Sequence, residues 1–210
     1  MPGIAVYTAI FGSRDEFKER PKGDFDSFLF TDKPLASART QVVVMPPPVP
    51  GDPIRSARFV KTSPQLFIPD HEVTLWLDGT LDLLEDPAAI AARYLADSDI
   101  VANKHPERSC IYDEAAVCAQ YHKDVPEKIW NQVNRYLEMG YPKGNGLSET
   151  SAVLRKNTPE IASFNEAWWS EISAGSRRDQ LSFDFLVWKF GIKRSHFSES
   201  FFRWSPHGRD

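Results

Sequence analysis

Cysteine is scarce in this chain: Cys110 and Cys118 are the two in 210 residues. They flank a segment that reads as a helix, which argues against a disulfide framework or a cysteine zinc site. A reducing, cytoplasmic setting is the simplest expectation. Long hydrophobic runs are missing too. The apolar stretch near Met1 is too short to span a bilayer and has no basic segment before it, so no membrane span or signal peptide is expected. Excess positive charge is also absent. A formal net charge of −4 argues against a dedicated nucleic-acid binder. No Gly-x-x-x-x-Gly-Lys-Ser/Thr occurs, which argues against a phosphate-loop NTPase. No Gly-x-Ser-x-Gly occurs, and neither cysteine has a convincing partner, which argues against a nucleophilic enzyme. Repeats and low-complexity tracts are lacking.

What is present is an ordinary globular composition, 41% hydrophobic and 26% charged, in a length that suits one domain over residues 1–210. Apolar runs predict strands at 4–9, 24–32, 41–45, 73–77, 99–105 and 150–156. Helical periodicity and proline starts predict helices at 54–67 (with a kink at Ser63-Pro64), 87–97, 112–122, 126–139, 159–172 and 178–191. The proline-rich stretch 46–53 is a stiff connection. An aromatic tail follows from 192 to 210. Alternating strands and helices predict an α/β domain with a mostly parallel central sheet flanked by helices.

That class gives meaning to Asp78, which ends the run Val73, Thr74, Leu75, Trp76, Leu77 and is followed by Gly79. Ligands of open α/β sheets bind outside the carboxyl ends of the strands. Gly79 permits a tight turn and close approach. With Asp82 four residues on, the oxygen donors suit magnesium or manganese holding phosphate. The alternative is that Asp78 is a turn residue before a hairpin over 80–84.

Other positions fit the same chemistry. Arg55, Arg58 and Lys61 fall on one helix face, suited to a diphosphate or simply solvated. Asp179 and Gln180 open a helix, where Asp179 also suits a cap. Lys104, His105, Arg108, Tyr112 and Glu114 follow a strand end; His105 suits acid, base or ligand work, or plain exposure. Glu149 ends a glycine-punctuated loop that suits an acceptor pocket, with Glu149 as base or as an exposed carboxylate.

In order along the chain stand VYTAIFG, FLFTD, RSARFVKTSPQLF, LWLDGTLDLLEDP, KHPERSCIYDEA, GLSETSAVLRKNTP and SRRDQLSF. Together, over residues 4–192, they resemble the glycosyltransferase-like family that includes the plant mucilage-related and turgor-regulation-defect proteins. The resemblance implies a GT-A-type, Rossmann-like nucleotide-sugar transferase. It implies Tyr7, Thr8, Phe11 and Gly12 at the nucleotide, Arg58 and Lys61 facing the diphosphate, and Asp179 with Gln180 at the sugar wall. Asp78 and Gly79 stand where the family's Asp-x-Asp motif holds manganese or magnesium, but the span Asp78-Gly79-Thr80 has one carboxylate. In GT-A enzymes a histidine near the C-terminus often completes the metal site; His207 is the candidate here, with His196 behind it.

The implied reaction moves a sugar from a nucleotide-sugar donor to a glycan or small-molecule acceptor. Asp179 or Glu149 would serve as base in an inverting enzyme; Asp179 and Gln180 would stabilise the sugar in a retaining one. Two other readings stand beside it. One is a metal-dependent hydrolase using Asp78, His105 and Asp82 or Asp113. The other is a non-catalytic nucleotide or glycan binder.

Overall fold

Helix after helix in this chain opens on proline, whose missing N–H costs nothing in a first turn. In the computed structural model, which describes residues 3–204, helices α1 (Pro53–Thr62), α2 (Pro64–Phe67), α3 (Pro87–Tyr94), α5 (Pro126–Glu138) and α6 (Pro159–Ala174) all begin this way. Asp52 caps α1 by accepting from the Arg55 N–H at 2.9 Å. Helices α4 (Ile111–Gln120) and α7 (Gln180–Phe190) complete the set, and α7 ends on Gly191 at φ 65°. The segment expected as one helix over 54–67 is two, because Pro64 starts a new turn after Ser63.

The strands are β1 (Ile4–Ile10), β2 (Asp26–Thr31), β3 (Gln41–Val44), β4 (Val73–Leu77), β5 (Leu81–Leu83), β6 (Ile100–Lys104), β7 (Ser148–Lys156), β8 (Arg194–His196) and β9 (Phe202–Trp204). The main sheet runs β3-β2-β1-β4-β7-β6-β8. Its pairs are parallel except at β7, which is antiparallel to both β4 and β6. The mostly parallel α/β sheet is therefore as expected, with one reversed strand. Alternate residues feed two cores. Tyr7, Trp76 and Val153 pack with the α4–α7 side, while Val6, Leu75 and Leu154 pack under α3 and the tail.

The hairpin expected over 80–84 does not form. β5 pairs instead with β9 from the C-terminal tail. The tail also supplies β8, which joins the main sheet on β6. Its aromatics divide accordingly: Phe197, Phe201 and Phe202 are buried, whereas Trp204 is 64% exposed. His207 lies outside the described residues. Among the described residues, no helix is long and apolar enough to cross a membrane. Cys110 and Cys118 are free, buried thiols, and burial pushes the Cys118 thiol up to about 11.

This topology brings four strand ends to one side of the sheet: the carboxyl ends of β1, β4 and β6, and the beginning of the reversed β7.

Candidate active site

A cleft of about 300 Å³ opens at the carboxyl ends of β1 and β4; Arg14, Asp15, Arg58, Asp78, Gly79 and Arg178 are among its walls. A larger groove, about 560 Å³, lies at the opposite ends of these strands against α3, walled by Val73, Ala88, Ala91 and Leu95. Its lining is mainly apolar, and its Lys156 is tied to Asp99 at 3.0 Å, so the smaller cleft is where convergent polar chemistry lies.

Asp78 leaves β4 with its N–H donating to the Ser151 carbonyl at 2.8 Å, and its own carbonyl accepts from the Leu81 N–H at 3.0 Å. It is thus a turn residue as well as a cleft residue. Its Oδ1 accepts from the Trp76 indole N–H at 2.6 Å and from Arg58 Nη1 at 3.2 Å, with Lys61 Nζ at 3.7 Å. Arg58, on α1, also reaches Asp179 Oδ1 through Nε at 3.1 Å. Lys61, one turn on, pairs with Asp179 Oδ2, which also accepts from the Thr150 hydroxyl at 2.9 Å. Arg58 therefore links two carboxylates, one at the cleft wall and one beneath it.

Burial alone would raise the Asp179 carboxyl. The charges of Arg58 and Lys61 outweigh that and hold it well below the usual carboxylate range. Burial likewise works against the Arg58 cation, but Asp179 and Asp78 more than compensate and hold its proton more tightly than usual. Asp179 stands at the N-cap position of α7, yet its side chain makes no capping bond. It is spent on the cations.

The structure brings Asp78, Arg58, Lys61 and Asp179 together. It places other expected residues differently. Tyr7 and Lys61 are fully buried. The Tyr7 hydroxyl donates to the Lys61 carbonyl at 2.7 Å and accepts from Arg155. Thr8 donates to the Leu77 carbonyl at 2.7 Å and accepts from Arg20 at 2.6 Å. Phe11 is buried but reaches the cleft wall. Gly12, at φ 65°, donates its N–H to the Asp32 carboxylate at 3.0 Å. Gly79 sits under Asp15; a Cβ there would lie 3.0 Å from the Asp15 Cβ.

A second polar group adjoins this one. Gln180 donates to Glu114 Oε1 at 2.5 Å, and Arg108 Nε donates to Glu114 Oε2 at 2.6 Å. His105 is held in this group: its Nδ1 accepts the Arg108 N–H at 3.1 Å and its Nε2 lies 3.6 Å from Glu114. Burial pulls its pKa below the ordinary value. Glu149, at the start of β7, accepts from Asn103 at 3.0 Å and from the Ser151 hydroxyl at 2.7 Å. Its charge bears on both Arg58 and His105, so it stands between the two groups.

The sequence reading passed over Arg14, Asp15 and Arg178. The signals were the turn after β1, two residues before Arg14, and the position of Arg178 directly before Asp179.

A divalent ion at this cleft would need converging oxygen or nitrogen donors. Among the described residues, no three His, Cys, Asp or Glu side chains are grouped to hold a metal. The Asp78 carboxylate already faces Arg58 and Lys61, so an ion there would meet two positive charges. Asp82, the other expected donor, is engaged by Arg203 at 3.2 Å across β5 and β9. The residues described do not fit a divalent cation, and the donor set of the hydrolase reading is not assembled among them.

Residues 41–205 match the family described as TOD1/MUCI70, glycosyltransferase-like domain. A probable hexosyltransferase, MUCI70, from Arabidopsis thaliana is 26% identical over 149 residues, covering 66% of this chain and 26% of that protein. The chain thus spans about a quarter of the length of this relative. Among solved structures, the glycosyltransferase GlyE of Streptococcus pneumoniae TIGR4 aligns with 94% of this chain and 45% of its own, at 11% identity and a TM-score of 0.48. The family match runs through β4, the α1 basic face and the Asp179 segment, and it shows that this chain belongs to the TOD1/MUCI70 glycosyltransferase-like domain family.

Proposed function

We propose that this chain is a GT-A-type glycosyltransferase that moves a hexosyl group from a nucleotide-diphosphate sugar to a hydroxyl of a glycan or small-molecule acceptor. The observation that carries the reading is the Arg58–Asp78 pair at the carboxyl end of β4, inside a cleft, in a chain of this family. The name of the Arabidopsis relative supports the hexosyl assignment.

In this reading the bond from the sugar's anomeric carbon to the diphosphate oxygen breaks, and the electron pair stays on that oxygen. Arg58 faces the new negative charge, which grows as the transition state forms. The acceptor oxygen bonds to the anomeric carbon and loses its proton to Glu149, the carboxylate between the two polar groups. Asp179 is not the base. Both its oxygens are occupied, and it is held firmly ionised, so it positions Arg58. Tyr7 and Thr8 support the walls from the core, and Gly12 shapes the turn at the nucleotide's edge.

The test is release of nucleoside diphosphate from a panel of nucleotide sugars, with and without sugar acceptors, by wild type and Asp78→Ala. Turnover of one donor that falls by roughly a hundredfold or more in the variant supports the transferase. Turnover of none, with nucleotide still bound, favours the non-catalytic binder. The single carboxylate in Asp78-Gly79-Thr80 keeps that second reading in play.

A further inference from the structure

We propose that this cleft neutralises the donor's diphosphate with guanidinium groups, those of Arg14, Arg58 and Arg178, in place of a divalent cation. The inference rests on the transferase reading above and specifies how that site takes its donor.

Three observations converge. First, the place where a second metal-binding carboxylate would stand holds Thr80, and the carboxylate that remains, Asp78, is engaged through its Oδ1. It accepts from Trp76 at 2.6 Å and holds Arg58 at 3.2 Å. A permanent positive charge thus sits against Oδ1 of Asp78, where it would repel a divalent ion.

Second, Arg58 is oriented rather than loose. Its Nε faces Asp179 at 3.1 Å and its Nη1 faces Asp78 at 3.2 Å, which fixes the plane of the fork and leaves Nη2 for a ligand. Lys61 cannot share the task. It is fully buried and paired with Asp179 beneath the cleft floor.

Third, two more arginines reach the same cleft from distant parts of the chain: Arg14 from the turn after β1, and Arg178 from the segment before α7. Planar guanidinium forks match phosphate oxygens two at a time and stay charged at any working pH. The cleft also contains Asp15, packed over Gly79. Asp15 thereby brings a carboxylate to the cleft wall, where it would face a ribose or sugar hydroxyl of the donor. It is also the residue that would join Asp78 on a metal if the proposal fails.

The test is calorimetry of the full chain with inorganic pyrophosphate, UDP, GDP and ADP, first in EDTA and then in excess manganese. Wild type, Arg14→Ala, Arg178→Ala and Arg178→Lys are compared, with thermal melts as the folding control. The expected result is binding in EDTA that manganese improves by less than about threefold. Arg14→Ala and Arg178→Ala should each weaken it by roughly tenfold, with unchanged melting, and Arg178→Lys should restore only part of the loss.

Binding that appears only with manganese would overturn the guanidinium proposal while leaving the transferase reading standing, and Asp15→Asn would then test the ligand set. Binding in EDTA that neither alanine variant weakens would also overturn it. If no nucleotide or pyrophosphate binds under either condition, the transferase reading fails and this inference falls with it.

Discussion

Lys61 and Asp179 lie 118 residues apart in the chain and meet as an ion pair that water does not reach. The pair sits beneath the cleft floor and leaves Arg58 held between Asp179 and Asp78. Removing Lys61 as Lys61→Ala strips one partner from a buried carboxylate. The expected cost is about 3–5 kcal/mol in urea unfolding. Replacing both ends, as Lys61→Met with Asp179→Leu, should cost far less than the two single changes added together. Additive losses in the double-mutant cycle would mean the pair is not coupled.

The same pair sets an acid dependence. Burial would raise the Asp179 carboxyl, but Arg58 and Lys61 hold its folded pKa below the unfolded one. Its stabilising contribution is therefore complete above the ordinary carboxylate range and is lost as pH falls toward the lowered folded value. Asp179→Asn should flatten the acid limb of the stability curve. An unchanged limb would reassign that sensitivity to other carboxylates.

Tyr7 gives the matching alkaline test. Burial raises its pKa from 10.0 to about 12, with Arg155 pulling the other way. Its contribution is complete below the unfolded value and is lost as pH rises toward the folded one. Tyr7→Phe should remove this alkaline loss and cost about 1–3 kcal/mol at neutral pH, because the Lys61 carbonyl and Arg155 lose a partner. Donor affinity should hold within about twofold if Tyr7 acts only from the core. A large affinity loss with intact stability would return Tyr7 to the nucleotide.

Glu149→Gln separates chemistry from binding. The amide keeps the size and can still accept from Asn103 and Ser151, but it cannot take a proton. Loss of the base should lower kcat by roughly a hundredfold or more with KM for the donor nearly constant. A rise in KM with constant kcat would make Glu149 a binding residue.

Gly79→Ala probes the cleft wall. The added Cβ would lie 3.0 Å from the Asp15 Cβ and 3.1 Å from its Oδ2, which forces Asp15 to move. The expected effect is roughly a tenfold loss of donor affinity, the equivalent of about 1–2 kcal/mol of overpacking. Global stability should fall by no more than about 1–3 kcal/mol in urea unfolding. A variant with wild-type affinity would place the donor away from this wall.

Much of the fold was legible in the sequence. Pro87, Pro126 and Pro159 mark helix starts, because the constraint is local to one residue and its neighbours; Pro53, read as the end of a stiff connection, also opens a helix. The apolar run ending at Asp78 had to be a strand with a charge at its end, and in an α/β sheet that end is where ligands bind. The reversal of β7 was not legible, since side-chain alternation is the same in either direction. β8 and β9 were missed because three residues carry too little pattern; their pairing with β6 and β5 makes them strands. Helical spacing put Arg58 and Lys61 on one face, yet burial sent Lys61 to Asp179 and left Arg58 at the cleft. Their neighbours place Arg14 after a strand-end turn and Arg178 before Asp179, but that the two share one wall is a fact of the fold. The sequence by itself determined the longer helices, the six longer strands and where β4 ends. Tertiary structure alone decided which charges neutralise one another and which face the cleft, because charge pairing depends on distance in space and on exclusion of water, and neither is a property of a short stretch of chain.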